Sequence, residues 1–488
     1  MNLTTATHIA QSALSTVSAE SAVVSRNISG VNDASFSQKI ANVITTFDGG
    51  SEVASVTNAQ NQALFGNVLS ATSASATQAA LSSGLTSLLN IVGEPGSDTS
   101  PAEKLTDLTN AIQQYEATPS SSSLAAAAVN AAQNLASTLN NATNTVQQVR
   151  EQADTQMASS VASINSLLTQ FKNVNQQIVT GTATGADVTD LQDTRNSILT
   201  QLSQQIGITT TTNTNGDMSV YTDSGVALFQ GGTASTVTFQ PTQTYTAGTT
   251  GNAVYIDGIP VTGSSATMPI QSGTLAGLAT LRDNVTVTYQ AQLDETANGL
   301  ISAFAETDPT NSSNTLAGLF TNGGSTALPT SSQLTGLAGN ITVNAAVDPS
   351  QGGNPEKLGN GINFNFNTSN QASFDTQLKQ YLTNLSATQS FSSAGGISTS
   401  NTLSGYAAAS VSWLDAEQQN VTSESAYQST LLSTSTTALS NTTGVNLDDE
   451  MSQMLDLENS YSASAKLLTT ISSMFADLAN AIDQATAA

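Results

Sequence analysis

Residues 447–482 read LDDEMSQMLDLENSYSASAKLLTTISSMFADLANAI, and the spacing of their apolar side chains decides how the whole chain is read. Leu447, Met454, Tyr461, Leu468, Phe475 and Ile482 stand seven apart, with no Gly or Pro among them. Leu457, Ile471 and Leu478 follow members of that series by three residues, and Met451, Ala465 and Ala479 follow by four. A period of 3.5 residues puts these positions on one narrow seam of a continuous helix, the pattern of a coiled-coil partner. At 1.5 Å per residue the helix runs roughly 54 Å, too long for a small domain's own core to cover. The seam therefore predicts packing on the other terminus or on other molecules. Assembly comes ahead of catalysis as the first hypothesis.

Residues 3–28 carry a weaker stripe of the same period, with Leu3, Ala10, Val17 and Val24 seven apart. Alanine buries little surface, so this stripe is less adhesive. The shared period makes the two termini candidate partners. In a free monomer such helices have little to bury against and are expected to be largely disordered or loosely paired. The sequence GVNDASF at 30–36 ends the first helix.

Between the termini the pattern changes twice. A helical region covers roughly 51–206. Ser100-Pro101-Ala102-Glu103 is a helix start, with Ser as cap, Pro at the first helical position and Glu three residues after the cap. Thr118-Pro119 repeats the signal. Residues 120–179 lack Gly and Pro, and apolar residues from Leu135 to Ile178 recur mostly at three- and four-residue intervals, giving one helix of ~90 Å or two end to end. Asp187 is positioned to cap a further helix that Gly207 stops. Strands are expected next: Thr-rich 208–214, a type I′ hairpin turn at Asn215-Gly216, then 219–222, 226–230, 235–240 and 253–257. Helical periodicity returns from Leu275 to Ala305. Residues 307–372 read as a loop-rich insertion, and helices resume at Phe374.

The expected fold class is mainly α with a β-rich portion, elongated and multidomain. Residues 1–50 and 445–488 would pair as a terminal coiled coil. Residues 51–206, 273–306 and 373–444 would form a helical bundle, 207–272 a central β-rich domain, and 307–372 an outer insertion.

Composition narrows the function. The chain has 488 residues, and 10 basic against 35 acidic side chains give a net charge of −25. That surface repels nucleic acid, which is gripped by clustered Lys and Arg, and it repels anionic membranes for the same reason. The absence of Cys excludes disulfides, thiolate nucleophiles and Cys-based metal sites. It fits a protein exported unfolded and working outside the cell. Met1 to Ser25 lacks the basic start and apolar run of a signal peptide, and no apolar stretch is long enough to span a bilayer. His8 is the only histidine, which argues against a His metal site or a Ser-His pair. Asp448, Asp449 and Glu450 lack the alternating spacing of a calcium loop and read as first-turn carboxylates favoured by the helix dipole. Trp413 reads as core. No catalytic residue, cofactor or metal is expected.

Several segments resemble a known family. Thr443-Gly444-Val445-Asn446-Leu447-Asp448-Asp449-Glu450, followed by Asn459 to Lys466, is similar to the C-terminal signature of the flagellar axial proteins, Gly-Val-Asn-Leu-Asp-Glu-Glu and then Tyr-x-Ala-x-Ala-Lys. Leu191 to Leu199 running into Ile206-Gly207-Ile208, Ser272 to Asp283, and Ile341 to Pro349 resemble, in order, segments of the first hook-associated protein family of the flagellar hook–filament junction. One stretch departs from that family. Its first helix normally ends in Asn-x-x-Thr-x-Gly-Tyr-Ser-Arg, whereas this chain has Asn32 to Lys39 with Phe36 in place of Tyr.

The resemblance implies a structural adaptor, not an enzyme, in the bacterial flagellum outside the cell. It implies a homo-oligomeric ring between the hook protein and the second hook-associated (junction) protein, type III export, and an export chaperone on the C-terminal helix. The assembly interface would be carried by Leu447, Met451, Met454, Leu457, Tyr461, Leu468, Ile471, Phe475, Leu478 and Ile482, with Leu3, Val17 and Val24 opposite. Two rival readings are another axial protein (second junction protein, flagellin or hook protein) and a secreted hydrolase with a β-rich active site. The hydrolase would need a cluster of ionisable groups that the sequence does not offer.

Overall fold

The computed structural model describes residues 3–487; the outermost positions of the expected terminal domain, 1–2 and 488, lie outside it. The chain opens with helix α1 (Leu3–Gly30), then an antiparallel hairpin of β1 (Lys39–Thr45) and β2 (Ser51–Asn58), bulged between Asn42 and Val43. At the end of α1 the Phe36 ring occupies the space a Cβ on Gly30 would need, 2.5 Å from that position. Only glycine lets the aromatic fold back there.

The helical body follows: α2 (Gln62–Val92), α3 (Pro101–Ala117), α4 (Ser122–Thr184) and α5 (Thr189–Gln205). Ser100 caps α3 as expected, its hydroxyl accepting from Glu103 N–H at 3.2 Å. The second cap falls elsewhere. Thr118 closes α3, and Ser121, not Thr118, caps α4 by accepting from Leu124 N–H. Helix α4 is a single span of 63 residues, about 95 Å long. Its buried face includes Leu135, Leu139, Val146, Met157, Ile164, Leu168, Phe171 and Ile178. Gly185 ends it in the left-handed conformation, φ 73°.

The β portion is small and entirely antiparallel. Strands β3 (Ile208–Thr212), β4 (Met218–Thr222), β5 (Ala227–Gln230) and β6 (Thr233–Ala234) form one sheet in that order. Strands β7 (Val237–Thr238), β8 (Tyr255–Ile256) and β9 (Ile259–Pro260) form another. The β3–β4 connection is longer than the two-residue turn expected at Asn215-Gly216. Gly216 N–H donates to Asn213 O, and Asn213 N–H donates to Asp217 O. Positive φ occurs at Gly216 but not at Asn215, whereas a type I′ turn needs both.

A broken helix then returns to the body: α6 (Thr274–Thr280), a π-helical turn at 281–285 and α7 (Thr286–Ala303). Residues 307–372, expected as an outer loop region, pack inward instead. They contribute β10 (Glu306–Asp308) with β11 (Asn311–Leu316), β12 (Phe320–Asn322) with β13 (Ile341–Val343), and the short helices α8 (Leu337–Asn340) and α9 (Lys357–Asn360). Leu319, Phe320, Leu337, Ile341, Val347 and Leu358 are buried in the same core as α4 and α7. Their spacing follows neither helix nor strand period, which is why the sequence pattern does not announce them. Helix α10 (Thr376–Ser386), the hairpin of β14 (Thr388–Ser390) and β15 (Ser400–Thr402), α11 (Leu403–Thr443) and α12 (Leu447–Ala487) complete the chain. Trp413, on α11, is half-buried against this core.

The π turn has a structural purpose. It turns Arg282 into the body, where its guanidinium meets Asp154 of α4 at 2.5 Å and Asp283 at 2.8 Å. Arg150, one turn before Asp154, donates to Arg282 O and to the carbonyls of Thr246 and Thr249. Burial opposes the Arg282 charge, but its bonds to Asp283 and Asp154 outweigh that and hold its pKa above the ordinary arginine value. Removing one partner of such a pair leaves the other charge buried alone. Arg282→Leu is therefore expected to lose about 3–5 kcal/mol of stability by denaturant unfolding, and a loss under about 1 kcal/mol would contradict this account of the π turn.

Asp294, on α7, accepts from Gly336 N–H, Ala338 N–H and Gln290. Burial nevertheless pushes its carboxyl up to about 6. The folded chain then holds this proton more tightly than the unfolded chain, whose Asp titrates near 3.9. The group's contribution is fully present below that value and is lost as pH rises through about 6. The stability difference between the native chain and Asp294→Asn should shift against the native chain across that window. A pH-independent difference would count against the assignment.

Candidate assembly interface

Helix α12 enters from Asn446, whose side chain accepts from Asp448 N–H at 3.1 Å. Asp448 and Asp449 are exposed in its first turn, as the dipole reading expects. Glu450 is not. It is 1% exposed, and one carboxylate oxygen accepts from Asn27 of α1 at 3.0 Å and from Gln38 at 2.8 Å. The acidic first turn thus does more than complement the dipole; one of its three carboxylates is a tie to the N-terminal segment.

That tie belongs to a larger joint. Asn27 grips the root of the hairpin with both ends of its amide, accepting from Lys39 N–H at 2.8 Å and donating to Lys39 O at 2.9 Å. The Lys39 side chain is fully buried, ion-paired to Asp193 of α5, with Asp190 at 3.6 Å. Asp193 also accepts from the Ser37 hydroxyl and from Asn58. The Phe36 ring covers the Lys39 ammonium at 4.6 Å from the ring centre, so the Phe that replaces the family's Tyr acts as a cation–π lid. On the outer side Arg26 pairs with Asp187 and Asp190, both at 2.8 Å. Burial alone would raise Asp187, but bonds from Arg26 and Thr189 outweigh it and hold its carboxyl below the usual range. Gln38 N–H donates to Thr443 O at the end of α11. The joint fastens α1, the hairpin, α5, α11 and α12 at one point.

From the joint, α1 and α12 run side by side. Glu450 lies at Asn27, and Leu457 packs with Val17 and Val24, so residue numbers rise along one helix as they fall along the other. The pair is antiparallel. Its core is a cluster separate from that of the body: Val17, Val24 and Leu457, flanked by Ile28 and Met454. Ala10 and Ile471 are also buried.

The expected seam is divided by this arrangement. Leu457, Ile471, Val17 and Val24 are buried, while Met454, Leu468 and Leu3 are half-buried. Leu447, Met451, Tyr461, Phe475, Leu478 and Ile482 are exposed, the last at 54%. Counting from the Asn27–Glu450 contact at equal rise, the described start of α1 lies level with about residue 474, so roughly 20 Å of α12 runs past it. Leu455, Leu467 and Met474 are also exposed on α12 and escaped the sequence reading. Leu467 and Met474 are themselves seven apart, a signal that was available.

The remaining candidates are quickly placed. His8 is exposed on α1. Among the described residues no group of three or more His, Asp or Glu is arranged to hold a metal ion, and no helix is long and apolar enough to cross a membrane.

Comparison with known proteins fits these features. The family profile described as the flagellar hook-associated protein FlgK helical domain matches residues 85–313. The profile described as the flagellar basal body rod FlgEFG protein C-terminal matches 438–481, the end of α11 and most of α12. Flagellar hook-associated protein 1 of Salmonella typhimurium is 30% identical over 152 residues, 31% of this chain and 26% of that protein. Its Escherichia coli namesake is 29% identical over 164 residues, 32% and 28% of the two chains. The matches thus span about a quarter of the length of these curated relatives. A solved structure of the flagellar hook junction protein FlgK from Burkholderia pseudomallei aligns with a TM-score of 0.42 at 23% identity, over 53% of this chain and 47% of that one. With a match to the FlgK helical domain at its centre and to a flagellar rod-protein C-terminal segment at its end, the chain is similar, over these two regions, to the flagellar hook-associated proteins of the hook–filament junction.

Proposed function

We propose that this chain is a structural adaptor subunit that joins the flagellar hook to the filament, forming a homo-oligomeric ring between hook protein and the second junction protein. The observation that carries this reading is the half-covered seam. One end of α12 is tied to the joint and to α1, while the other extends past α1 with Phe475, Leu478 and Ile482 in water. In the assembly those side chains would meet the terminal helices of neighbouring subunits, forming an inner layer of coiled coils, with the body setting subunit spacing from outside. The same exposed helix is the segment an export chaperone would shield before passage, unfolded, through the type III channel. Division into a terminal coiled coil, a helical body and a β-bearing portion follows from the same reading.

Two experiments bear on it. Leu468→Asp combined with Phe475→Asp should abolish incorporation at the hook–filament junction, scored by labelled antibody along isolated flagella, while the body's thermal transition stays in place. Normal incorporation would sink the seam. Staining of the parent chain at the hook or along the filament would instead favour another axial protein.

Glu450 separates the tie from charge. Glu450→Gln keeps an acceptor for Asn27 and Gln38 and should leave amide protection in 447–460 nearly unchanged. Glu450→Ala strands both donors, at a cost of about 1–3 kcal/mol, and should lower that protection roughly tenfold or more. Equal effects from the two variants would refute the tie.

A further inference from the structure

The tip of the hairpin holds two side chains that the fold does not use. Thr46-Phe47-Asp48-Gly49 is closed by Gly49 N–H donating to Thr46 O at 2.9 Å, and Thr46 N–H donates to Gly50 O. Gly49 sits at φ 83°, a conformation that an L side chain resists. Phe47 and Asp48 are therefore the two central residues of a tight turn. Phe47 is fully exposed, with Val43 and Ile44 exposed behind it. The turn is braced rather than loose: Thr16 of α1 donates to Ser51 O at 2.7 Å, and Ser51 N–H donates to Ser12. A Cβ on Gly50 would come within 2.4 Å of the Ser12 hydroxyl.

At the root of the same hairpin a groove of about 920 Å³ opens between the 30–37 loop, α2, α5 and α11. Phe36, Phe65, Leu432 and Leu439 line it, and so does Arg195. Arg195 is 4% exposed, yet only its Nη1 is hydrogen-bonded, to Asn175 at 3.1 Å and Gly216 O at 2.6 Å. Its Nε is buried without an acceptor, and no carboxylate is ion-paired to it among the described residues. Burial pushes its pKa down to about 10. Of the carboxylates nearby, Asp193 is ion-paired to Lys39, Asp33 at the rim is held by Ser35, and Asp217 acts on Arg195 only through space. An apolar groove with an under-partnered cation in its wall suits an occupant that presents an aromatic ring beside a carboxylate. Phe47-Asp48 is that pairing. The tip of the same chain cannot supply it, because seven strand residues hold it about 23 Å from the root.

We propose that the Phe47–Asp48 tip of one subunit docks in this groove of a second copy, the ring among the apolar side chains and the carboxylate toward Arg195. The proposal rests on the assembly reading above and names one of its subunit contacts. Each copy offers one tip and one groove; in the ring read above the contact runs head-to-tail and propagates from copy to copy, whereas reciprocal docking of two copies would stop at a dimer.

The cysteine-free chain allows a direct test by disulfide trapping, which accumulates even transient encounters. The full chain is made as Phe47→Cys with Thr436→Cys, as Phe47→Cys with Asn196→Cys, and as each single variant, then mildly oxidised in solution and on isolated flagella. A ladder of dimers, trimers and larger species from at least one double variant, with at most dimers from the single ones, is expected. Adding Asp48→Lys should cut ladder yield at least fivefold. No ladder from either double variant, or dimers from Phe47→Cys alone at equal yield, would overturn the docking. Antibody location of the parent chain is read separately. A chain found at the junction without a ladder rejects only this contact, whereas a chain absent from the junction rejects the functional reading whatever the ladder shows.

Discussion

The structure depends on one buried polar joint, in which Glu450 is tied to Asn27, Asn27 to the Lys39 backbone, and the Lys39 ammonium to Asp193. Such pairs are weak sources of net stability, because desolvation cancels much of their attraction. Their value is directional. The helix pair and the body have separate apolar cores, and two apolar surfaces can slide or pivot at little cost. Hydrogen bonds at fixed angles cannot, so the joint sets the direction in which α1 and α12 leave the body.

Magnitudes explain why the seam is only half used. Each well-buried seam side chain contributes roughly 2 kcal/mol, and few are buried between α1 and α12. Ordering the 41 residues of α12 opposes this by about 1–2 kcal/mol per residue, offset in part by helical hydrogen bonds that are marginal on their own in water. Local packing therefore secures the helix near the joint, and in the proposed assembly the distal turns would gain their burial from other chains. The terminal helices, expected from sequence to be loosely paired in the monomer, are better described as fixed at one end and uncovered at the other.

Periodic features were legible before the structure, and convergent ones were not. The heptads of α12, the Ser100 cap and the helical character of the α4 run follow from local pattern, whereas its being one helix rather than two end to end is settled only by the fold. Glu450 was read as a dipole carboxylate because nothing local shows that Asn27, Gln38 and Glu450 meet across more than 400 residues. Residues 307–372 looked like loop because Leu319, Phe320, Leu337 and Val347 keep no period, though a shared core buries them. Asn215-Gly216 was recognisable as a turn, but its length was set by Asn213 and Asp217. The family resemblance located the signature segments without saying what Glu450 holds, and the joint is what gives that signature a physical reason.

The central claim is that the joint holds the near end of α12 rigidly while its far end stays free until assembly. Spin-label distances in the free, full-length chain test this most directly, with one label at Ser163 on α4 and the other at Ser452 or Asn480 on α12. The account predicts a narrow Ser163–Ser452 distribution, a clearly broader Ser163–Asn480 distribution, and widening of the first by Lys39→Met. Two equally broad distributions would contradict the joint, and two equally narrow ones would contradict the free seam.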